Sequence, residues 1–437
     1  MQQDKANNNV RETAAPPPVR LGAQWAVPVD MERLVASVRF DVASQVAEAT
    51  AAVEFVPDGR DGLPVFDLRQ QVARARLDGA RLSPDSVAER DIGAGPGATV
   101  RVLDVPCAAA SKHLLEVEYQ LGTPKAGGAL PVGWQAGGVV WDFWMSDLEP
   151  GRYLEMWFPA NLCHDRLALE VNVEVSGTSR AHALLANGRV VHRRPGSSWT
   201  VRYPHTFTSL SPLLVLAPAD AIEVKTSEVQ LGGRALRLTA ASLPGVGCDL
   251  GDALQDSAAW LGYFTARYGA WAHGDELLTV IWDLPRGMEY DGATTASFPA
   301  LEHEIFHSWF GRGVKPALPR DGWIDEAMAS WATASRHAAV GRFAEDELGL
   351  DEPPALLCPP HPWSRHTPRA AYTAGARLLA GVARMAGGPG RLRAALAGWH
   401  ARYAGRGATT EELKLHLGQW CGRDLSPWWD RYVHGQG

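Results

Sequence analysis

The stretch from Leu301 to Arg336, LEHEIFHSWFGRGVKPALPRDGWIDEAMASWATASR, constrains this chain more than any other. His303 and His307 are the outer letters of HEIFH. Residues four apart share one face of a helix. Both imidazoles can therefore reach one ion, while Glu304 points at whatever that ion activates. The string reads as a zinc site with a carboxylate base. Two His at this spacing on a surface helix could also be solvated side chains, and Glu326 decides between the two. It follows His307 after eighteen intervening residues, which include Gly311, Gly313, Pro316, Pro319 and the turn pair Asp321-Gly322. These residues stop the first helix and start a second near Trp323, with Glu326 in its first turn. Two His and a carboxylate are the three protein ligands of a catalytic zinc, leaving the fourth position for water. A structural zinc closes its shell with a fourth side chain, usually Cys, and this stretch contains no Cys. One Zn2+ per chain is expected.

The 437 residues suggest two or three domains, and 46% hydrophobic content with 17 Trp is ample for sizeable cores. The 42 basic residues against 49 acidic ones give a net charge of −7, which offers no footprint for nucleic acid. Five scattered Cys, at 107, 163, 248, 358 and 421, with no CxxC pair, argue against a disulfide framework or a Cys-rich metal module. No run approaches 18 apolar residues, and the first twenty positions lack the apolar core of a signal peptide. A cytoplasmic protein with no membrane span is expected. If the start is trimmed, a secreted or periplasmic one follows instead.

Residues 1–19 are polar, end in Pro16-Pro17-Pro18 and read as a disordered tail. From 20 to 224 the pattern has period two, as in Leu34, Ala36, Val38, Phe40 and Val42, or Leu167, Leu169, Val171, Val173 and Val175. Turns such as Asp58-Gly59 and Asn187-Gly188 separate the strands, so a large antiparallel β domain is expected. From 225 to 437 the pattern becomes helical. Leu254, Ala258, Leu261 and Phe264 recur at helical spacing, with Asp252 as N-cap and Gly269 as stop. ELLTVIW at 276–282 reads as a strand, 370–386 as a helix, Thr409 with Glu412 as a capping box, and Ser426-Pro427 as the start of the last helix. The fold class is β followed by α+β, with the metal in the second part.

HEIFHSWFG followed by WIDEAMAS resembles the HExxHxWFG and WLNEGFAS segments of the gluzincin aminopeptidases, the family of the membrane alanyl aminopeptidases and leukotriene hydrolase. Arg312 stands where that family usually has Asn or Asp, Asp325 where it has Asn, and Ala327 where it has Gly. The resemblance implies a saddle-like N-terminal β domain followed by a thermolysin-like, mainly helical zinc peptidase domain. It also implies a short form, without the helical domain that covers the active-site mouth in larger members. That leaves room for an oligomer or partner over the opening.

Gly287-Met288-Glu289-Tyr290 resembles the family's GxMEN motif, whose Glu holds the free α-amine of the substrate. A carboxylate beside the metal would pair with an ammonium and fix where the peptide begins. Glu149 resembles a second amine-binding carboxylate, with Glu155 in competition. Tyr372, in AAYTAGARLL, resembles a Tyr whose phenol stabilises the developing oxyanion. The resemblance implies a zinc aminopeptidase acting on peptides, with Glu304 as general base. The alternatives are an endopeptidase with an open cleft and a non-catalytic peptide-binding protein with structural zinc.

Overall fold

The computed structural model describes residues 15–94, 99–122, 132–146, 148, 153–161, 165–243, 245–283, 287–334, 352–365 and 367–436. Period-two alternation in the first half builds an eight-stranded sheet. Its order is Arg189–Arg194, Ser198–Arg202, Ala168–Ser176, Val29–Asp41, Val46–Pro57, His113–Gln120, Val72–Leu77, Ala80–Leu82. Leu34, Ala36, Val38 and Phe40 all point inward, as their spacing predicts. The Phe40 ring lies 5.3 Å from that of Trp141, which sits on a four-stranded sheet across the core.

The first half departs from the expected all-antiparallel arrangement at two pairings among the described residues, since Ala168–Ser176 runs parallel to Val29–Asp41 and Gln24–Val27 runs parallel to Leu63–Phe66. A parallel pair needs a long crossover, and the intervening chain supplies it by passing through other sheets. Part of the proline end of the expected tail is docked, because Trp363 Nε1 donates to Pro17 O at 2.7 Å. Residues 1–14 lie outside the described residues.

The second half opens on strands rather than on the helical pattern expected after residue 225. Glu223–Leu231 and Arg234–Ser242 form a hairpin, and position 224 falls inside its outer strand. That strand is almost wholly exposed along its length. With no buried face it carries no alternation to read. The hairpin continues into a five-stranded sheet through Glu276–Trp282 and Ala293–Ser297 to Gly287–Tyr290 at the far edge.

Seven α-helices accompany this sheet among the described residues: α1 Leu250–Tyr268, α2 Leu301–Phe306, α3 Trp323–Ala334, α4 Ala374–Met385, α5 Pro389–Tyr403, α6 Thr410–Cys421 and α7 Ser426–Tyr432. Asp249, not Asp252, caps α1 by accepting from Gly251 N at 2.7 Å. Gly269, at φ 114°, ends that helix as expected. The Thr409–Glu412 capping box opens α6.

The two halves share a core. Leu278, Val280, Met288 and Tyr290 of the second half belong to the same buried cluster as Trp141 and Trp157 of the first. Arg365 crosses the junction, 2.7 Å from Asp67 and 3.4 Å from Glu155, with all three side chains buried. Removing one partner of such a buried pair strands the other's charge, at a cost of about 3–5 kcal/mol.

Candidate active site

The helical spacing of HEIFH places both imidazoles on one side of α2, with ring centroids 4.8 Å apart. The Gly- and Pro-rich segment after it turns the chain back, so that the first turn of α3 delivers Glu326. The start of α3 is pinned from below. Asp321 accepts from Leu318 N at 3.0 Å, Thr410 N at 3.0 Å and Thr410 Oγ1 at 2.7 Å, and Trp323 Nε1 donates to Thr410 Oγ1 at 3.0 Å. Glu326 Oε2 then lies 3.2 Å from His303 Nε2 and 3.6 Å from His307 Nε2.

These residues fit a metal. One ligand atom from each of His303, His307 and Glu326 falls within a 4.8 Å group. His307 Nδ1 stands 3.2 Å from Phe310 O. A carbonyl only accepts, so Nδ1 carries a proton and Nε2 faces the cluster. Buried His307 Nε2 has no hydrogen-bond partner among the described residues. Burial by itself would lower the His307 pKa, but Glu289 and Glu326 override it and raise it well above the ordinary imidazole value. A metal cation bound here would take the place of that proton. Two nitrogens and a carboxylate are the donor set of a catalytic zinc.

Glu304 is buried beside the ligands, and one atom each of Glu289, Glu304 and His307 forms a second 4.8 Å group. Burial, reinforced by Glu289, raises the Glu304 pKa well above the carboxylate range. Gly287 lies directly against it. A Cβ at Gly287 would come within 2.6 Å of Glu304 Cγ and overlap its carboxylate, so only glycine lets strand and base approach this closely. Met288 is buried and its carbonyl accepts from Thr294 Oγ1 at 3.1 Å.

Tyr372 sits on a 3₁₀ turn, Arg369–Tyr372, just before α4 rather than within the helix expected over 370–386. Thr373, at φ −113° and ψ −68°, interrupts the run. The Tyr372 hydroxyl donates to Glu326 Oε1 at 2.5 Å, and its ring lies parallel to His303 at 6.1 Å.

Glu289 is placed at the site, but sequence reasoning missed its partner. Arg312 Nη2 donates to Glu289 Oε1 at 2.8 Å, and Arg312 Nε donates to the Glu289 carbonyl at 3.1 Å. The only signal in the sequence was an unusual residue at position 312. Glu149 lies outside the described residues. Glu155, its competitor, is buried at the junction, where Oε1 accepts from Arg365. A separate cavity of about 560 Å3 includes Arg166, His273, Asp291, Arg312 and Lys315 in its wall and none of the three candidate ligands.

No family model and no curated protein sequence matches the chain. Solved structures do. An alanine variant of a two-domain M1 zinc metallopeptidase, bound to L-arginine, is similar at a TM-score of 0.63 and 18% identity, over 94% of this chain and 95% of that one. An M1 zinc metallopeptidase variant from Deinococcus radiodurans, bound to the substrate Tyr-Ser-Ala, is similar at a TM-score of 0.64 and 18% identity, over 94% of this chain and 95% of that one. Aminopeptidase A of Legionella pneumophila, in complex with aspartic acid, reaches 0.64 at 13% identity, with 96% of this chain covering 51% of that one. The chain has the fold of the M1 zinc metallopeptidases. Its motifs resemble those of the gluzincin aminopeptidases. Among the described residues no helix is long and apolar enough to cross a membrane.

Proposed function

We propose that this protein is a zinc-dependent aminopeptidase that hydrolyses the N-terminal bond of peptides, with one Zn2+ per chain held by His303, His307 and Glu326. The observation that carries this reading is the convergence of those three side chains with buried Glu304 beside them. A structural zinc has no use for such a base. On this reading residues 225–437 are a thermolysin-like catalytic domain, preceded by the β domain of 20–224.

Zinc, when bound, is a Lewis acid that acidifies water and polarises a carbonyl. The chain's own groups do the rest. Glu304 takes a proton from the attacking water as its oxygen bonds to the carbonyl carbon, then returns that proton to the amine as the C–N bond breaks. Tyr372 donates its hydroxyl hydrogen bond to the developing oxyanion. Gly287–Tyr290 is the edge of its sheet and pairs only with Ala293–Ser297 among the described residues. Its outer edge can take an extended peptide as an added strand. Glu289, on that strand, offers Oε2 to the substrate's ammonium.

Tyr372→Phe removes one oxyanion donor. It is expected to lower kcat by about a hundredfold to a thousandfold with little change in KM. Metal content must be measured alongside, because the hydroxyl also touches Glu326. A loss under about threefold in metal-loaded protein would return Tyr372 to a packing role.

The function is tested by mass spectrometry of a short peptide, free or N-acetylated, after incubation with the protein. Stepwise loss of single residues from the free N-terminus is expected. Internal fragments from the acetylated peptide would establish an endopeptidase instead.

A further inference from the structure

Glu289 reaches the active site with part of its charge already engaged. Arg312 is as buried as the core around it, at 2% exposure. Three contacts fix its guanidinium: Glu289 Oε1 at 2.8 Å, the Glu289 carbonyl at 3.1 Å and the Gly311 carbonyl at 2.9 Å. The backbone around it is equally determined. Gly311, at φ 108°, makes the turn, and Arg312 N donates to His307 O at 2.9 Å. Neighbouring Lys315 is taken by Asp291 at 2.7 Å, and Arg312, whose Nη1 also lies 4.0 Å from Asp325 Oδ2, is the cation hydrogen-bonded to Glu289. A guanidinium held by a planar fork in a dry site keeps its charge and its geometry.

We infer that Arg312 is a positioning residue for substrate selection: by occupying one oxygen of Glu289 it weakens the capture of a free α-ammonium, so that substrates with a blocked or absent N-terminal amine remain competitive. The inference rests on the aminopeptidase reading and deepens it. An ammonium arriving at Glu289 Oε2 meets a carboxylate already shared with a cation, and the two cations repel across a poorly screened distance. A neutral Asn at position 312 would leave the whole carboxylate to the substrate.

The test uses an aminoacyl arylamide and its N-acetyl derivative. The free-to-acetyl ratio is measured in kcat/KM and, with the matching amino-acid amides, in Kd. A purely structural defect scales both substrates alike and leaves each ratio unchanged. Arg312→Asn is expected to raise both ratios at least about tenfold over wild type, equivalent to about 1.4 kcal/mol. Ratios within about threefold of wild type in folded Arg312→Asn would overturn the inference.

Should Arg312→Asn not fold, Glu289→Gln decides. Its amide oxygen still accepts from the guanidinium, but the substrate loses the Glu289 carboxylate while the Arg312 charge, whose nearest remaining carboxylate is Asp325 Oδ2 at 4.0 Å, stays in place and repels an ammonium. The free-to-acetyl ratios are expected to fall below one, and ratios at or above one would overturn the inference. Failure of wild type to turn over either arylamide would refute the aminopeptidase reading instead.

Discussion

Glu304→Gln is expected to keep its metal and lower kcat by about a hundredfold to ten-thousandfold, the range general-base catalysis supplies. The substitution is nearly isosteric, which matters here because Glu304 is packed against Gly287 with no spare room. A shorter or bulkier residue would move the strand carrying Glu289 and confuse two effects. The amide leaves His303, His307 and Glu326 untouched but cannot accept the proton of the attacking water. Activity within tenfold of wild type, in protein shown to hold metal, would remove Glu304 from the mechanism.

His307→Ala should abolish stoichiometric metal binding, and activity with it. His307 contributes a buried nitrogen that nothing else in the described protein satisfies, and its removal leaves two protein ligands. Disturbing a mere neighbour of a ligand costs about 10–100-fold in affinity, so losing a ligand itself is expected to cost more. Less than about a tenth of an equivalent of zinc should remain at concentrations where wild type holds one. A full equivalent retained by the variant would show that His307 is not a ligand.

The metal cluster was legible because its pieces obey local rules. Four-residue spacing puts His303 and His307 on one face, and glycines and prolines force the turn that returns Glu326. Gly269 and the Thr409–Glu412 box were readable for the same reason. What escaped was non-local or lacked a periodic signal. The Glu289–Arg312 pair joins positions far apart in sequence, and it exists only because a sheet edge and the Gly311 turn meet. Arg365 finds Asp67 and Glu155 across a junction that no pattern within one half announces. The outer strand of the Glu223–Ser242 hairpin is exposed with no buried stripe, so that strand carries no period-two signal. Tyr372 was placed on a helix because Thr373 looks like any other turn-compatible residue until its backbone angles are known.

The central claim is that one metal ion held by His303, His307 and Glu326 is required for peptide-bond hydrolysis. It is tested most directly by stripping the protein with a chelator and titrating zinc back while following turnover of an aminoacyl arylamide. Activity should be lost on stripping, rise linearly with added zinc and level off at one bound equivalent per chain. Full turnover by protein holding less than about a tenth of an equivalent, or no turnover with one equivalent bound, would contradict it.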